Sequence, residues 1–234
     1  MADVFRIPKL GAASYQAQAD PKVRPVIQTD FYWDFGPKSP SGPGDNAAIF
    51  SNCERLELWI DGKHHATILP DRENYPHLKY PPFFASLTVD GAAKPELRID
   101  GFLGTKRVLS RSFSSDTAKD QLWLKADDAR LVADGSDATR LVFRAVDKFG
   151  APRPFVGGEV ALELSGPGLI VGDNPFRWDD SGSAGAVWIK TVPSRAGRIR
   201  ITATHASLGK NHRLPAPRPL ALPARRVPGK SWRC

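Results

Sequence analysis

The sequence predicts an all-β protein made of two tandem immunoglobulin-like β-sandwiches, with a short N-terminal helix and a disordered C-terminal tail. From residue 26 onward, apolar residues alternate with polar ones, which is the pattern of half-buried strands. Turn residues interrupt this pattern about every eight to twelve residues, as they do in immunoglobulin-type sandwiches. The composition agrees, because 20 Gly and 21 Pro with a single Met favour short strands and turns over a helical bundle.

Residues 1–25 contain the helical pattern. Pro8 suits the first turn of a helix and Pro21 closes the segment, which predicts a helix of about three turns. No partner helix follows in the sequence, so this helix is expected to lean on a sheet. The side chains predicted to face inward belong to Leu10, Ala13, Tyr15 and Ala17.

Residues 26–115 are predicted to form the first sandwich from six strands. The strongest local signal is Asp61-Gly62 between two alternating segments, because this dipeptide favours a hairpin turn whose twist matches the strands. Ser51 and Asn52 follow an apolar run, and either Asn52 or Ser51 can hydrogen-bond its own backbone where that strand ends. The six predicted strands are Ala47–Phe50, Leu56–Ile60, His64–Leu69, Phe84–Asp90, Glu96–Phe102 and Lys106–Phe113.

Residues 116–210 are predicted to form the second sandwich, because the alternation restarts there after a polar boundary. Cys53 is the one cysteine of the first sandwich and the second sandwich has none, so no antibody-type disulfide is expected and apolar burial must hold each one. The predicted strands are Gln121–Ala126, Thr139–Asp147, Glu159–Leu164, Leu169–Val171, Ala186–Thr191 and Arg198–Thr204.

Residues 211–234 are predicted to be a disordered, basic, Pro-rich tail. The chain has 33 Lys and Arg against 25 Asp and Glu, and this tail supplies six of the basic residues and no acid. Pro, Ala and Leu separate these cations, so the net charge of +8 does not indicate a nucleic-acid partner. No apolar stretch approaches the roughly 18 residues of a membrane helix and no signal pattern opens the sequence, so we expect no membrane partner and, by default, a cytoplasmic location.

Three stretches of the sequence resemble glycoside hydrolase family 2, the β-galactosidase and β-glucuronidase group. The segment leading into the family's last barrel helix is similar to FRIPKLGAASYQAQADP. The family's next module resembles AAIFSNCERLELWIDGKHH, and its terminal immunoglobulin-like module resembles LVADGSDATRLVFRAVDKFGAPRP with the strands that follow. The resemblance covers residues 3 to about 209 and implies the C-terminal region of such a hydrolase, with the remnant of the last barrel helix in residues 1–25.

The resemblance also implies that the catalytic residues lie elsewhere. Retaining glycosidases need two carboxyl groups about 5–5.5 Å apart, and in this family two Glu at the ends of barrel strands supply them. A barrel takes about 200–250 residues, whereas 25 residues precede the first sandwich and no Asn-Glu dipeptide, typical of the family's acid/base, occurs. We expect no catalytic residue here, and a barrel domain of the parent hydrolase, in cis or as a separate chain, as partner. All six Glu fall in the sandwiches: Glu54, Glu57, Glu73, Glu96, Glu159 and Glu163.

Metal and cofactor sites are not predicted. His64 and His65 are adjacent on a strand, where successive side chains point to opposite faces, so a shared metal is not expected. His77, His205 and His212 are isolated and expected at the surface. The sequence has no calcium loop with a closing Glu, no Gly-rich phosphate loop and no Gly-x-Ser-x-Gly elbow.

Aromatic residues leave carbohydrate as an alternative partner, because sugars stack on flat aromatic faces. The clusters at residues 31–35 and 80–84 are expected to seal a core or a junction with the barrel, with a sugar platform as the alternative. The candidate carbohydrate-binding residues are Trp178, Trp33 and Tyr32, and Trp178 is expected to be exposed on a loop. The expected function is a non-catalytic accessory part of an enzyme that hydrolyses O-glycosidic bonds. The alternatives are a stand-alone carbohydrate-binding or adhesion module and a subunit that complements a separate barrel.

Overall fold

The computed structural model of the chain describes residues 2–35, 40–179, 181–210 and 220–222. The chain divides into two compact units. The first contains Met1–Asp120 together with Val146–Phe155, and the second contains Gln121–Ala145 and Val156–Cys234. Almost all regular structure is antiparallel strand, which confirms the all-β prediction. Among the described residues, no helix has the length and apolar character that crossing a membrane requires.

The first unit is a sandwich of two antiparallel sheets. One sheet has the strand order β1-β2-β5 and the other has the order β4-β3-β6-β7. The sequence predicts all of these strands except the first, which has three residues and is too short to show an alternation. In chain order the strands are β1 (Ile27–Thr29), β2 (Gly44–Ser51), β3 (Arg55–Ile60), β4 (Lys63–Ile68), β5 (Phe83–Leu87), β6 (Glu96–Leu103) and β7 (Lys106–Ser114).

The core of the first unit lies between these two sheets. On β3, Leu56 and Leu58 are fully buried, and Phe83 of β5 belongs to the same cluster. Burying a side chain of this size contributes roughly 1.5–3 kcal/mol. Trp33 joins the cluster with its ring 3% exposed, and its Nε1 donates to the Pro95 carbonyl at 2.8 Å. The structure therefore confirms the core interpretation for this tryptophan.

The β3–β4 hairpin forms as predicted. Asp61 has φ +50° and Gly62 has φ +76°, which are the two positive values of a type I′ turn. Gly62 tolerates this conformation because it lacks a Cβ, and Asp is among the few other residues that adopt it. Local turn chemistry thus sets the register at this end of the sheet.

A β-bulge in this hairpin interrupts the alternation at the two adjacent histidines. Leu58 pairs with Ala66 but Trp59 pairs with His64, so His65 is an extra residue on β4. Strict alternation does not hold across a bulge, and both histidines line one open pocket of about 390 Å³. No group of three or more His, Cys, Asp or Glu that could hold a metal ion occurs in the part of the chain that the structure describes.

The second unit is also a sandwich of two antiparallel sheets. One sheet has the order β11-β13-β9-β8, and the other has the order β12-β10-β14-β15, with β16 beside β14. The six strands predicted here are present, whereas the two-residue strands β12 and β15 carry too little pattern to be predicted. In chain order the strands are β8 (Gln121–Ala126), β9 (Ala138–Val146), β10 (Glu159–Ser165), β11 (Gly168–Val171), β12 (Phe176–Arg177), β13 (Ala184–Thr191), β14 (Gly197–His205), β15 (Gly209–Lys210) and β16 (Leu220–Leu222).

The N-terminal helix is much shorter than predicted. Helix α1 spans Ala12–Gln16, five residues rather than about three turns, and its N-cap Gly11 supplies no side-chain hydrogen bond. Upstream, the Asp3 carboxylate accepts hydrogen bonds from the backbone N–H of Phe5 and Ile7, at 2.9 and 2.8 Å. This local bonding competes with helix formation and turns the chain instead.

The short helix leans on the first unit through small side chains. Ala13 and Ala17 are buried, as predicted. Tyr15 was expected to face inward but is 73% exposed. Ala13 and Ala17 are four residues apart and share one face, whereas Tyr15, two residues from each, lies on the opposite face.

Within the predicted tail, the structure describes the backbone of three residues. Leu220–Leu222 form β16 and pair with β14 in the register Gly197↔Leu222. These three residues thus lie in a strand, and disorder of the tail stays a prediction. The other residues of 211–234, including His212 and Cys234, lie outside the described part of the chain.

Candidate functional site

Asn52 at the end of β2 holds the polypeptide that leads into the first sandwich. Its side chain is almost completely buried. The Asn52 Oδ1 accepts a hydrogen bond from the Val26 N–H at 2.7 Å. Its Nδ2 donates to the carbonyls of Ala19 and Arg24, each at 2.9 Å. One side-chain amide therefore fixes three points of a segment that lies 26 to 33 residues earlier in the chain.

Ser51 completes this arrangement. Its Oγ donates to the Val26 carbonyl at 2.6 Å and accepts from the Cys53 N–H at 3.1 Å. The bond to Cys53 is the local one that the sequence predicts. The other bonds of Ser51 and Asn52 were not predicted, because they reach across the fold to residues 19–26. We call Ser51 and Asn52 together the Ser-Asn clamp.

A second amide fastens the same segment closer to the helix. The Gln18 Nε2 donates to the Tyr80 carbonyl at 2.8 Å, and the Tyr80 N–H donates back to the Gln18 Oε1 at 3.2 Å. Ala17 beside it is fully buried. The segment from Ala17 to Val26 is thus attached near both ends: the Gln18 side chain bonds the Tyr80 backbone, and the Asn52 side chain bonds the Val26 backbone.

A buried ionic cluster lies in the same unit. The Arg153 Nε donates to the Asp120 Oδ1 at 2.9 Å, and its Nη1 donates to the Trp33 carbonyl at 2.9 Å and lies 3.4 Å from the Asp34 Oδ1. Among the described residues, its Nη2 has no hydrogen-bond partner. One guanidinium therefore serves two buried carboxyl groups.

A third carboxylate near this cluster is satisfied by the backbone. Asp147 accepts hydrogen bonds from the N–H groups of Ser114, Phe149 and Ala151, at 2.7 to 2.8 Å. Because Ser114 ends β7, these bonds hold the segment Val146–Phe155 within the first unit. Asp147 thus joins the end of β7 to the turn that follows β9.

Two carboxyl groups beside Arg153 have raised pKa values. Burial is the main cause for both Asp34 and Asp120, and the nearby Arg153 charge opposes it only in part. The pKa of Asp120 rises to about 6 from an ordinary value of 3.8. Asp120 therefore takes up a proton well above the pH at which an exposed aspartate does.

This shift gives a pH dependence whose sign follows from linkage. Between 3.8 and about 6 the folded chain retains a proton on Asp120 that the unfolded chain releases. The stability contributed by this group is complete below that window and is lost as the pH rises through it. We expect thermal unfolding at roughly pH 5 to occur at a higher temperature than at roughly pH 7.5. Asp120→Asn should remove much of that difference, whereas the exposed control Asp173→Asn should keep it. Equal pH profiles for Asp120→Asn and the wild type would contradict this assignment.

Several glutamates bond neighbouring groups of the sandwiches. Glu57 pairs with Arg55 at 3.2 Å, and Glu96 pairs with Lys148. The Glu54 Oε2 accepts from the backbone N–H of Gly104 at 2.6 Å, at the β6–β7 turn. These contacts are those of strand-end and surface carboxylates.

Trp178 is not the exposed platform that the sequence predicts. Its ring is 1% exposed and stacks on His205 at 4.9 Å and on Phe143 at 6.5 Å. On this short edge segment, Phe176 and Trp178 face the core while the charged residue between them faces solvent. Of the three candidate carbohydrate residues, Trp33 is also buried, and Tyr32 alone has an appreciable exposure of 36%.

His205 is buried rather than at the surface. Its Nε2 lies 2.9 Å from the Gly157 carbonyl, so this nitrogen must carry the proton. Its Nδ1 faces the N–H groups of Ser207 and Leu208 at 3.3 and 3.4 Å, so this nitrogen must accept. These bonds close the end of β14.

An exposed tryptophan of the second unit is not among the candidates predicted from the sequence. Trp188 of β13 is 37% exposed and pairs with Val171 of β11, and Leu169 of the same strand is also exposed. Alternation signals this outward position, because its neighbours Val187 and Ile189 are buried.

Comparison with known sequences relates the chain to β-galactosidases. It is 33% identical over 211 residues to a β-galactosidase of Thermoanaerobacter pseudethanolicus, a match covering 87% of this chain and 28% of that protein. It is 32% identical over 109 residues to a β-galactosidase of Rhizobium radiobacter, covering 47% of this chain and 77% of that sequence. The chain thus spans about a quarter of the length of the first curated relatives it matches. No family model matches it.

Solved structures share the fold. A β-glycosidase from Bacteroides vulgatus matches 90% of this chain and 27% of its own, with a TM-score of 0.68 and 19% identity. A β-glucuronidase from glycoside hydrolase family 2 matches 88% of this chain and 21% of its own, with a TM-score of 0.60 and 19% identity. Each match again covers only a part of a larger hydrolase.

Proposed function

Since this chain belongs to glycoside hydrolase family 2, as the C-terminal region of a β-galactosidase-like member, we propose that it is a non-catalytic accessory part that braces the polypeptide preceding it. The proposed parent reaction is the hydrolysis of O-glycosidic bonds. In this proposal a catalytic barrel performs the reaction, and the first sandwich holds the end of that barrel.

The observation that carries the proposal is the Ser-Asn clamp. The two sheets of a sandwich can pack without a buried side-chain amide. Asn52 nevertheless uses its Oδ1 and Nδ2 to hydrogen-bond the backbone of Ala19, Arg24 and Val26. Such bonds fix both the position and the direction of the entering chain, because the amide offers donors and an acceptor at fixed angles. A segment held this way transmits mechanical constraint rather than acting as a flexible linker.

The contacts of the glutamates support the non-catalytic part of the proposal. Glu54, Glu57 and Glu96 are bonded to a turn N–H, an arginine and a lysine. A catalytic carboxylic acid needs a raised pKa and a second, ionised carboxylate nearby. In the first unit, the carboxyl groups with raised pKa values are Asp34 and Asp120, and both lie beside the buried Arg153 instead. Carbohydrate binding is not proposed as a second function, because the rings of Trp178 and Trp33 are buried and cannot stack on a sugar.

A chimera tests the bracing role. This chain replaces the matching region of the Thermoanaerobacter pseudethanolicus β-galactosidase, and hydrolysis of an aryl β-galactoside is followed during heating. We expect the chimera to be active and Asn52→Ala to shorten the half-life of its activity severalfold, because the clamp no longer holds the barrel end. Asn74→Ala is the matched control, since its exposed amide bonds only Asp71.

Two results would contradict the proposal. If the Asn52→Ala chimera keeps the heat resistance of the parent chimera, the clamp does not brace the catalytic part. If the purified chain by itself hydrolyses aryl β-galactosides and one Glu→Gln change abolishes that turnover, the chain is catalytic.

A further inference from the structure

A small pocket in the first unit contains a cation that the proposed bracing role does not use. Its volume is about 60 Å³, and it lies between the N-terminal segment, β1, β7 and the segment Val146–Phe155. Arg111 of β7 supplies the positive charge, and the apolar walls include Leu10 and Pro152. We call it the Arg111 pocket.

Only one nitrogen of the Arg111 guanidinium is committed to described residues. Its Nη1 donates to the Ile27 carbonyl at 2.8 Å and to the Gln28 Oε1 at 2.6 Å. The guanidinium carbon lies 5.2 Å from the centre of the Phe113 ring, which supports it from one side. In the described part of the chain, Nε and Nη2 donate to no residue, which leaves free the edge that forms paired bonds with a carboxylate.

This cation has no carboxylate in direct contact within the part of the chain that the structure describes. Among the described residues Arg111 forms no ion pair, and burial lowers its pKa, an effect that the more distant Asp147 opposes. The oxygens of Asp147 already accept three backbone N–H bonds, from Ser114, Phe149 and Ala151. A partly buried guanidinium without a counter-ion is costly, so an anion in this pocket would stabilise it.

We propose that the Arg111 pocket binds a single carboxylate group through the Nε and Nη2 edge of Arg111. One water-sized group needs roughly 10–15 Å³ of such space, so a volume of about 60 Å³ accepts a carboxylate with the carbons next to it. It is far below the roughly 300–1,000 Å³ of pockets that enclose whole small molecules. The pocket therefore takes the end of an acidic side chain or of a sugar acid, and this inference does not rest on the proposed function.

A titration on the full chain tests the proposal directly. The Nε–Hε resonance of Arg111 is followed by NMR in ¹⁵N-labelled protein and is identified by its loss in Arg111→Lys. We expect acetate to shift this resonance with saturation at roughly tens of millimolar, whereas chloride at equal ionic strength should not. A shift that never saturates, or one that chloride reproduces, would overturn the proposal.

Two further ligands distinguish the sources of the carboxylate. A capped glutamate carries the group on methylene carbons, and glucuronate carries it on a sugar ring. Tighter binding of the capped glutamate than of glucuronate assigns the pocket to an acidic side chain, and the reverse assigns it to a sugar acid. If neither the capped glutamate nor glucuronate shifts the resonance, the proposal is contradicted, as it is if acetate does not shift it.

Variants separate specific recognition from charge alone. Arg111→Lys keeps the charge but loses the paired donors, so we expect a capped glutamate, followed through the Gln28 side-chain amide, to bind at least about fivefold more weakly. Arg107→Lys on the same strand is the control, because Arg107 is exposed and pairs with Asp100. It should leave the affinity unchanged. Equal affinity in Arg111→Lys and the wild type would mean that a point charge suffices and would contradict recognition by the Arg111 edge.

Discussion

Asn52→Ala is expected to lower the free energy of unfolding of the first unit by about 2–4 kcal/mol. The change removes three hydrogen bonds to backbone groups, and a buried donor left without its acceptor loses the full benefit of solvation. The Val26 N–H is the group most affected, because Val26 is itself buried. Amide hydrogen exchange measures the effect locally, and Val26 should lose its protection before the strands of the sandwich do.

Two controls make this expectation specific to the clamp. Asn74→Ala removes an exposed amide that bonds only Asp71, so it should change the stability by no more than about 0.5 kcal/mol. Asn52→Asp keeps the acceptor for Val26 but turns Nδ2 into an oxygen facing the carbonyls of Ala19 and Arg24. It should be at least as destabilising as alanine. Unchanged protection of Val26 in Asn52→Ala would show that other contacts hold the segment.

The hairpins of both sandwiches could be predicted because their information is local. Asp61-Gly62 specifies the turn between β3 and β4, and alternation specifies which residues of β3 are buried. Alternation does not reveal strands of only two or three residues. The three residues of β1 and the two residues of β12 form strands only because a neighbouring strand offers them hydrogen bonds.

The Ser-Asn clamp could be predicted only in part. A polar pair after an apolar run predicts a strand end, and the bond from the Cys53 N–H to Ser51 fits that prediction. The bonds from Asn52 to Ala19 and Arg24 depend on where the N-terminal segment lies in space. No local pattern contains that information, because the partners lie 28 and 33 residues apart in the sequence.

Trp178 shows how a charged neighbourhood misleads. Its flanking residues are charged, which suggested an exposed loop, whereas alternation over Phe176, Arg177 and Trp178 places both rings inward. The stacking partner His205 comes from another strand, and its burial follows from its bonds to Gly157 and to the turn after β14. The two-residue alternation therefore predicts the burial of Trp178 better than the polarity of its neighbours does.

The second large effect is expected at the ionic cluster. Arg153→Met should destabilise the first unit by about 3–5 kcal/mol at roughly pH 7.5, because Asp34 and Asp120 would remain buried without their cation. The loss should shrink at roughly pH 5, since both carboxyl groups already have raised pKa values and can be protonated instead of charged. Urea unfolding at the two pH values, monitored through hydrogen exchange of first-unit amides, measures the loss of stability at each pH.

A second substitution decides whether uncompensated charge is the cause. In the Arg153→Met background, Asp120→Asn removes one of the two orphaned carboxylates, so it should restore part of the stability at roughly pH 7.5. The exposed control Arg177→Met, whose partners Glu159 and Asp179 are half exposed, should cost less than about 1 kcal/mol. If Asp120→Asn destabilises the Arg153→Met chain further at that pH, the carboxyl group contributes through packing or hydrogen bonding, and the excess of negative charge is not what Arg153 relieves.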